Sequence, residues 1–359
     1  MLYEMQHLIK PSSWFVTKQV KKLIGRRIIA VVLMFLAVCL IILAPILAFT
    51  SPGTQMLVST GAIPEPTPTF APFIDPTTPT PTPMPALVVH GPMPHIDATA
   101  FYLVDMDTDN VLVNINGNTP LPMASTTKIM TALLAIETGN PNQMVTINRD
   151  AVDEALLHDG SNAGLQVGED FPLKDMLYWL LLPSGDDAAV AIADALGGGS
   201  QANFVEHMNL LAYRLHLFQT HYADPDGLNW RGSPDHYASA ADLTHLAMYA
   251  MQISEFAQIV RTTSFSVPAT AQHLTHKCIN TDTMLTAYPG MLGIKTGHTD
   301  AAGWCLVFAA EHNGHRLIGT ILGSPSEAQR DNAVTAMLDW GFSMPIAHST
   351  ARTGIVSYC

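Results

Sequence analysis

The 359-residue chain is long enough for two average domains, yet its 48% apolar residues and formal net charge of −13 are unevenly spread, so one folded domain of about 250 residues is expected. Its acidity argues against nucleic acid or an anionic lipid surface as partner. Four cysteines are few for an exported chain. Cys39 lies in an apolar run and Cys359 is the last residue, so only Cys278 and Cys305 could pair within the domain; the sequence leaves open whether they bond or stay buried thiols.

Residues 1–27 form a basic segment, with Lys10, Lys18, Lys21, Lys22, Arg26 and Arg27 against Glu4 alone. Ile28 to Phe49 then runs 22 residues without a charge, enough at about 1.5 Å per residue to span a bilayer's hydrocarbon layer. The positive-inside rule keeps the N-terminus cytoplasmic and the rest of the chain outside. A cleaved signal peptide is the rival reading, but its apolar region would be about 7–15 residues long with an A-x-A-like site. An uncleaved, single-pass anchor at 28–49 is therefore expected. Residues 50–95 are rich in Pro and Thr, with a Pro-Thr-Pro-Thr run near Pro79 to Pro83. Such a segment favours extended polyproline II and reads as a stalk, either a spacer or a linker of no consequence.

The folded domain is expected over 96–345, with a tail at 346–359. It opens with β-rich runs Ala100 to Met106 and Val111 to Ile115 around Asp107-Thr108-Asp109-Asn110, a hairpin signal. Helical spacing covers Ser125 to Glu137, Leu173 to Leu182, Asp186 to Leu196, Gln201 to Leu215 and Ala240 to Gln252. Strands return at Phe265 to Val267, Met291 to Lys295, Trp304 to Ala310 and Leu317 to Leu322, the last two flanking the turn dipeptide Asn313-Gly314. A helix from Ala328 to Trp340 closes the pattern. Hairpin, then helices, then antiparallel strands and a helix make an α+β class.

Ser125-Thr126-Thr127-Lys128 enters a helix with hydroxyl and amine about one turn apart. Serine needs a base to become a nucleophile, and lysine serves only if burial or nearby positive charge disfavours its ammonium form. Alone, the pair is equally a capping serine with a surface lysine. Ser184-Gly185-Asp186 at a helix entrance and Lys295-Thr296-Gly297 on an apolar strand change that weight, because the three triplets together form a known serine-acyltransferase signature.

From Ala100 to Phe342 the chain resembles the low-molecular-mass penicillin-binding proteins of the D-alanyl-D-alanine carboxypeptidase family. The resemblance rests on Pro122-Met123-Ala124-Ser125-Thr126-Thr127-Lys128-Ile129-Met130-Thr131 and on Leu182-Pro183-Ser184-Gly185-Asp186-Asp187-Ala188-Ala189. It extends through His236-Tyr237-Ala238-Ser239-Ala240 with Asp242-Leu243, and Gly293-Ile294-Lys295-Thr296-Gly297-His298-Thr299 with Ala302-Gly303-Trp304-Cys305-Leu306. It implies a β-lactamase/transpeptidase-like fold, an antiparallel sheet flanked by helices with a helical subdomain. It also implies cleavage of terminal D-alanine from peptidoglycan stem peptides, acylation by β-lactams, and no cofactor or metal.

Carried over, Ser125 is the nucleophile, Lys128 its base and Ser184 a proton relay to the leaving amine. Lys295 supplies a positive field that keeps Lys128 neutral and orients substrate, and Thr296 and Gly297 line the strand along which the peptide lies. The backbone N–H groups of Ser125 and His298 form an oxyanion hole. Arg330 binds the substrate's terminal carboxylate, unless it is merely a surface arginine of the last helix.

Two departures stand out. The family's usual Asn is here Asp186, which as a carboxylate can only accept hydrogen bonds. Contact with Lys128 or Lys295 would favour that lysine's charged form and slow acylation or move it to higher pH; a tolerated variant is the milder reading. The chain also stops soon after Trp340-Gly341-Phe342, where many relatives continue, so the N-terminal segment is expected to do the anchoring.

His273, His276 and Cys278 have metal-like spacing but lack a further ligand, and chance clustering among 15 histidines accounts for them. His312 and His315 read as solvated hairpin residues. A class A β-lactamase would need a deacylating glutamate, and His221 to Trp230 offers only Asp224 and Asp226. A D,D-endopeptidase shares the acyl-enzyme step and stays open, and a non-catalytic cell-wall binding module is the rival from another class.

Overall fold

The computed structural model describes residues 91–229 and 232–344. The expectations for the basic segment, the membrane anchor, nearly all of the linker and the tail lie outside these residues. Among the described residues no helix is long and apolar enough to cross a membrane.

A five-stranded antiparallel sheet in the order β2-β1-β9-β8-β7 organises the domain. Its strands are β1 (Ala100–Asp105), β2 (Asn110–Ile115), β7 (Met291–Thr299), β8 (Gly303–His312) and β9 (His315–Ser324). Side chains alternate across a strand, and here both faces are covered. Phe101, Leu103, Leu306, Phe308 and Ile321 join Val334, Met337 and Leu338 of the last helix, α9 (Glu327–Phe342). Tyr102, Val104, Val307, Ala309 and Ile318 meet the helical layer on the other side. Burial on both faces explains why these strands read as apolar runs.

Asn313 (φ 54°) and Gly314 (φ 79°) make the β8–β9 turn, closed by His312 opposite His315. His315 is buried, not solvated: its ring lies edge-on to Phe342 and its Nε2 is 3.0 Å from Asp105.

The helical layer comprises α1 (Lys128–Thr138), α2 (Arg149–Leu157), α3 (Leu173–Leu181), α4 (Asp186–Leu196), α5 (Gln201–Arg214) and α6 (Ala240–Ala250). With them go two small sheets, β3 (Met144–Thr146) with β4 (Asp170–Pro172), and β5 (Ser264–Val267) with β6 (His276–Ile279). Short helices α7 (Ser254–Val260) and α8 (Met284–Ala287) lead into β5 and β7. The expected helix at Ser125 differs at its start: Ala124–Thr127 is a 3₁₀ turn, and α-helix begins only at Lys128. The turn is tighter because the Thr126 and Thr127 hydroxyls donate back to the Met123 and Ala124 carbonyls (2.7 and 2.8 Å), competing with helix at its first turn.

His273 stacks on Phe171, and His276 bonds Glu169 (2.8 Å). Neither is held for a metal. Cys278 and Cys305 are both free and buried, and burial pushes each thiol up to about 11.

Candidate active site

Ser125 is half-buried at the top of the 3₁₀ turn, whereas Thr126, Thr127 and Lys128 behind it are buried. The Lys128 amine donates to Ser125 Oγ (2.9 Å), Asp186 Oδ1 (2.5 Å) and the Asp226 carbonyl (2.7 Å). Three acceptors match the three protons of an ammonium group. Asp186 is in place because α4 starts there, and its second oxygen accepts from the Ser161 backbone N–H (2.7 Å). Both of its oxygens are thus held inside the protein. Of the two lysines that the sequence offered it, the structure joins it to Lys128.

The neighbouring Asp187 fixes the same loop, accepting from the backbone of Ala163 and Leu165. Burial pushes its carboxyl up to about 6. Ser184, two residues before Asp186, adopts φ +65°, and its buried Oγ has no protein partner. It bonds neither lysine here. A left-handed serine is a strained arrangement of the kind found at functional sites.

Strand β7 is the sheet edge and lies against the nucleophile's turn. A methyl group at Gly297 would stand 3.1 Å from the Met123 carbonyl and 3.2 Å from Ser125 N. A side chain there would be crowded, and the turn would have to give by a few tenths of an ångström. Lys295 is buried and donates to the Thr296 carbonyl (3.0 Å), while Thr296 Oγ1 meets Thr281 Oγ1 (2.7 Å). Burial, then the charge of Lys128, holds the Lys295 amine well below the usual lysine range. Desolvation works against the charged form of Lys295. The ion pair of the site belongs to Lys128 and Asp186.

The exposed His298 ring lies on Trp304 (4.2 Å between centroids), its partner across β7 and β8. These two residues, with Pro122, Asp300 and Ser324, border a groove of about 400 Å³ beside the turn. Arg330 is not free. It is 1% exposed, lies 5.9 Å from the Trp304 ring and donates to Asp331 (2.8 Å) and Glu327 (3.2 Å) of its own helix.

Sequence reasoning passed over Asp226, which it scanned only as a place for a glutamate. Its carboxyl is fully buried, with Oδ1 on the Leu228 N–H (2.7 Å) and Oδ2 unpartnered. Burial and the negative charges of Asp186 and Asp224 push it well above the carboxylate range. Its carboxyl thus sits beside the Lys128 and Asp186 pair with one oxygen unpartnered. Ser161 carried no signal, since any residue supplies a backbone N–H. For metals, the one cluster of three close ligand groups among the described residues is Asp105, Asp107 and His315, and there Arg316 already occupies Asp107 (2.7 Å).

A serine hydrogen-bonded to a buried lysine, below the edge strand of an antiparallel sheet flanked by helices, defines a penicillin-binding-type serine hydrolase. A family profile described as D-alanyl-D-alanine carboxypeptidase matches residues 88–326. The chain is 35% identical over 262 residues to the D-alanyl-D-alanine carboxypeptidase of Streptomyces sp. (strain K15), covering 70% of this chain and 89% of that one. D-alanyl-D-alanine carboxypeptidase DacF of Bacillus subtilis is 34% identical, over 70% of this chain and 64% of its own length. The crystal structure of the Streptomyces K15 DD-transpeptidase superposes with a TM-score of 0.66 at 35% identity, covering 70% of this chain and 99% of that one. The D-alanyl-D-alanine carboxypeptidase of Mycobacterium tuberculosis H37Rv gives 0.65 at 30% identity, covering 71% and 95%. The chain belongs to the D-alanyl-D-alanine carboxypeptidase family of serine peptidases.

Proposed function

We propose that this chain removes the terminal D-alanine from peptidoglycan stem pentapeptides through an acyl-enzyme on Ser125, and that β-lactams acylate the same serine. The observation that carries this reading is the 2.9 Å contact between Ser125 Oγ and the buried Lys128 amine, set against Gly297 of β7. Once Lys128 has released a proton, it takes the hydroxyl proton as Oγ attacks the penultimate D-alanine carbonyl. The carbonyl oxygen gains charge facing the backbone N–H groups of Ser125 and His298, which stabilise it in the transition state. As the C–N bond breaks, Ser184 gives its hydroxyl proton to the departing amine and takes in exchange the proton that Lys128 received from Ser125. Water then cleaves the ester and restores Ser125. Lys295, Thr296 and Gly297 orient the peptide along the strand edge, and Arg330 meets the substrate carboxylate.

Residues 96–345 form the peptidase domain in this reading. The uncharged run 28–49, preceded by six basic residues, supports a single-pass anchor that holds the domain outside the cell membrane on the Pro/Thr-rich stalk. Incubating the purified chain with pentapeptide-bearing and cross-linked muropeptides checks the activity. Free D-alanine from the former, abolished in Ser125→Ala, is the expected result. Cleavage confined to cross-links would assign an endopeptidase instead, and no cleavage of either would favour a binding module.

A further inference from the structure

The stretch His236-Tyr237-Ala238-Ser239-Ala240 carries part of the family resemblance but has no role in the chemistry above. His236 is 4% exposed and lies behind the nucleophile's turn. Its Nδ1 is 3.1 Å from the Ala223 backbone N–H, which can only donate, so Nδ1 carries the lone pair. The ring proton of a neutral imidazole is then on Nε2, 2.9 Å from Thr127 Oγ1. Thr127 in turn gives its hydroxyl proton to the Ala124 carbonyl (2.8 Å).

Ala124 precedes Ser125 and adopts φ +48°, a left-handed conformation disfavoured for a residue with a side chain, which persists only where its surroundings impose it. The 223–227 loop closes on the same carbonyl. A methyl group at Gly227 (φ +85°) would come within 1.9 Å of Ala124 O, and the Gly227 N–H is fixed on Asp224 Oδ1 (2.6 Å).

We propose that His236 is a positioning residue for acylation: as the neutral Nε2–H tautomer it ties the 223–227 loop to Thr127 and so holds Ala124 and Ser125 in the strained turn from which the serine attacks. This rests on Ser125 being the nucleophile. The ionisable groups around the ring are Asp224 (3.3 Å from Nδ1) and His221 from the loop, Lys128 from α1, and Tyr222, whose ring is edge-on at 6.2 Å. Burial, aided by the positive charges of His221 and Lys128 and opposed by Asp224, holds the imidazole below the usual histidine range. A second proton must enter at Nδ1, where it displaces the Ala223 N–H and faces Asp224. The brace is therefore complete above about pH 6.5 and is lost as pH falls through the lowered value.

The test measures the rate of acylation by a fluorescent penicillin on the full-length chain across that range. Asn at 236 keeps an acceptor near Nδ1 but loses the reach to Thr127, whereas Gln keeps a donor near Nε2 and does not titrate. His236→Asn and Thr127→Val are each expected to slow acylation by about 10- to 100-fold, and the double variant no further than the slower single. His236→Gln is expected to outpace His236→Asn and to lack the extra proton dependence that the parent shows below about pH 6.5. Parental rates in His236→Asn, multiplied losses in the double variant, or an unchanged acid dependence in His236→Gln would each overturn the proposal. Thr127→Val and His236→Gln carry the test if His236→Asn does not fold. A parent chain that takes no label overturns the Ser125 reading and this inference together, whereas a labelled parent with indifferent variants overturns only the inference.

Discussion

Replacing Lys128 with methionine is expected to slow penicillin acylation by about 10²- to 10⁴-fold and to destabilise the domain by about 3–5 kcal/mol. Both effects come from one amine. It is fully buried and is the hydrogen-bond partner of the Ser125 hydroxyl, so its loss leaves the nucleophile without a base. It is also the counter-charge of Asp186, which is 1% exposed. Removing one member of a buried ion pair strands the other, and that penalty exceeds what the intact pair contributes. Adding Asp186→Asn to the Lys128→Met variant therefore tests the cause. The double variant is expected to recover most of the stability, measured by denaturant unfolding, and none of the acylation. Equal stability of the single and double variants would mean that the ion pair is not what the domain loses.

Asp186→Asn alone is expected to speed acylation near neutral pH and to move its rise with pH to lower pH. Both carboxylate oxygens are held inside the protein, one on Lys128 and the other on the Ser161 N–H. In the ion pair the amine's three hydrogen bonds are all donated, and no lone pair is left for the serine proton. An amide in the same place keeps an acceptor for the Ser161 N–H and removes the negative charge. Burial and the charges of Asp186 and Asp224 disfavour the charged form of the neighbouring Asp226, which works against its replacing that charge. Rates of acylation measured from neutral to alkaline pH decide the matter, and superimposable profiles for the two proteins would sink it.

The catalytic triplets were legible because each demands particular side chains in a fixed order, and order survives in a sequence. Distances across long stretches do not. Asp186 and Lys128 are 58 positions apart, and nothing in their spacing chose Lys128 over Lys295 as the partner. The burial of Lys295 was not legible for a related reason: it depends on β7 closing against the nucleophile's turn, which no local pattern records. The role of Arg330 came from the resemblance of the run that ends in Trp340-Gly341-Phe342, and its pairing with Glu327 and Asp331 on the same helix could not be read from that.

The long strands were readable from their apolar runs, and Asn313-Gly314 from its turn chemistry. Elements as short as α7 and β6 left no periodicity to count. The 3₁₀ turn at Ser125 was hidden because Thr126 and Thr127 satisfy helix spacing while their hydroxyls pull the backbone tighter.

The central claim is that Ser125, activated by Lys128, forms a covalent acyl-enzyme. Peptide mapping by mass spectrometry of the chain after brief exposure to benzylpenicillin tests it most directly. A single penicilloyl group on the Ser125 peptide, absent from Ser125→Ala, is the result the site geometry predicts. An adduct on another residue, or equal labelling of the Ser125→Ala protein, would contradict it.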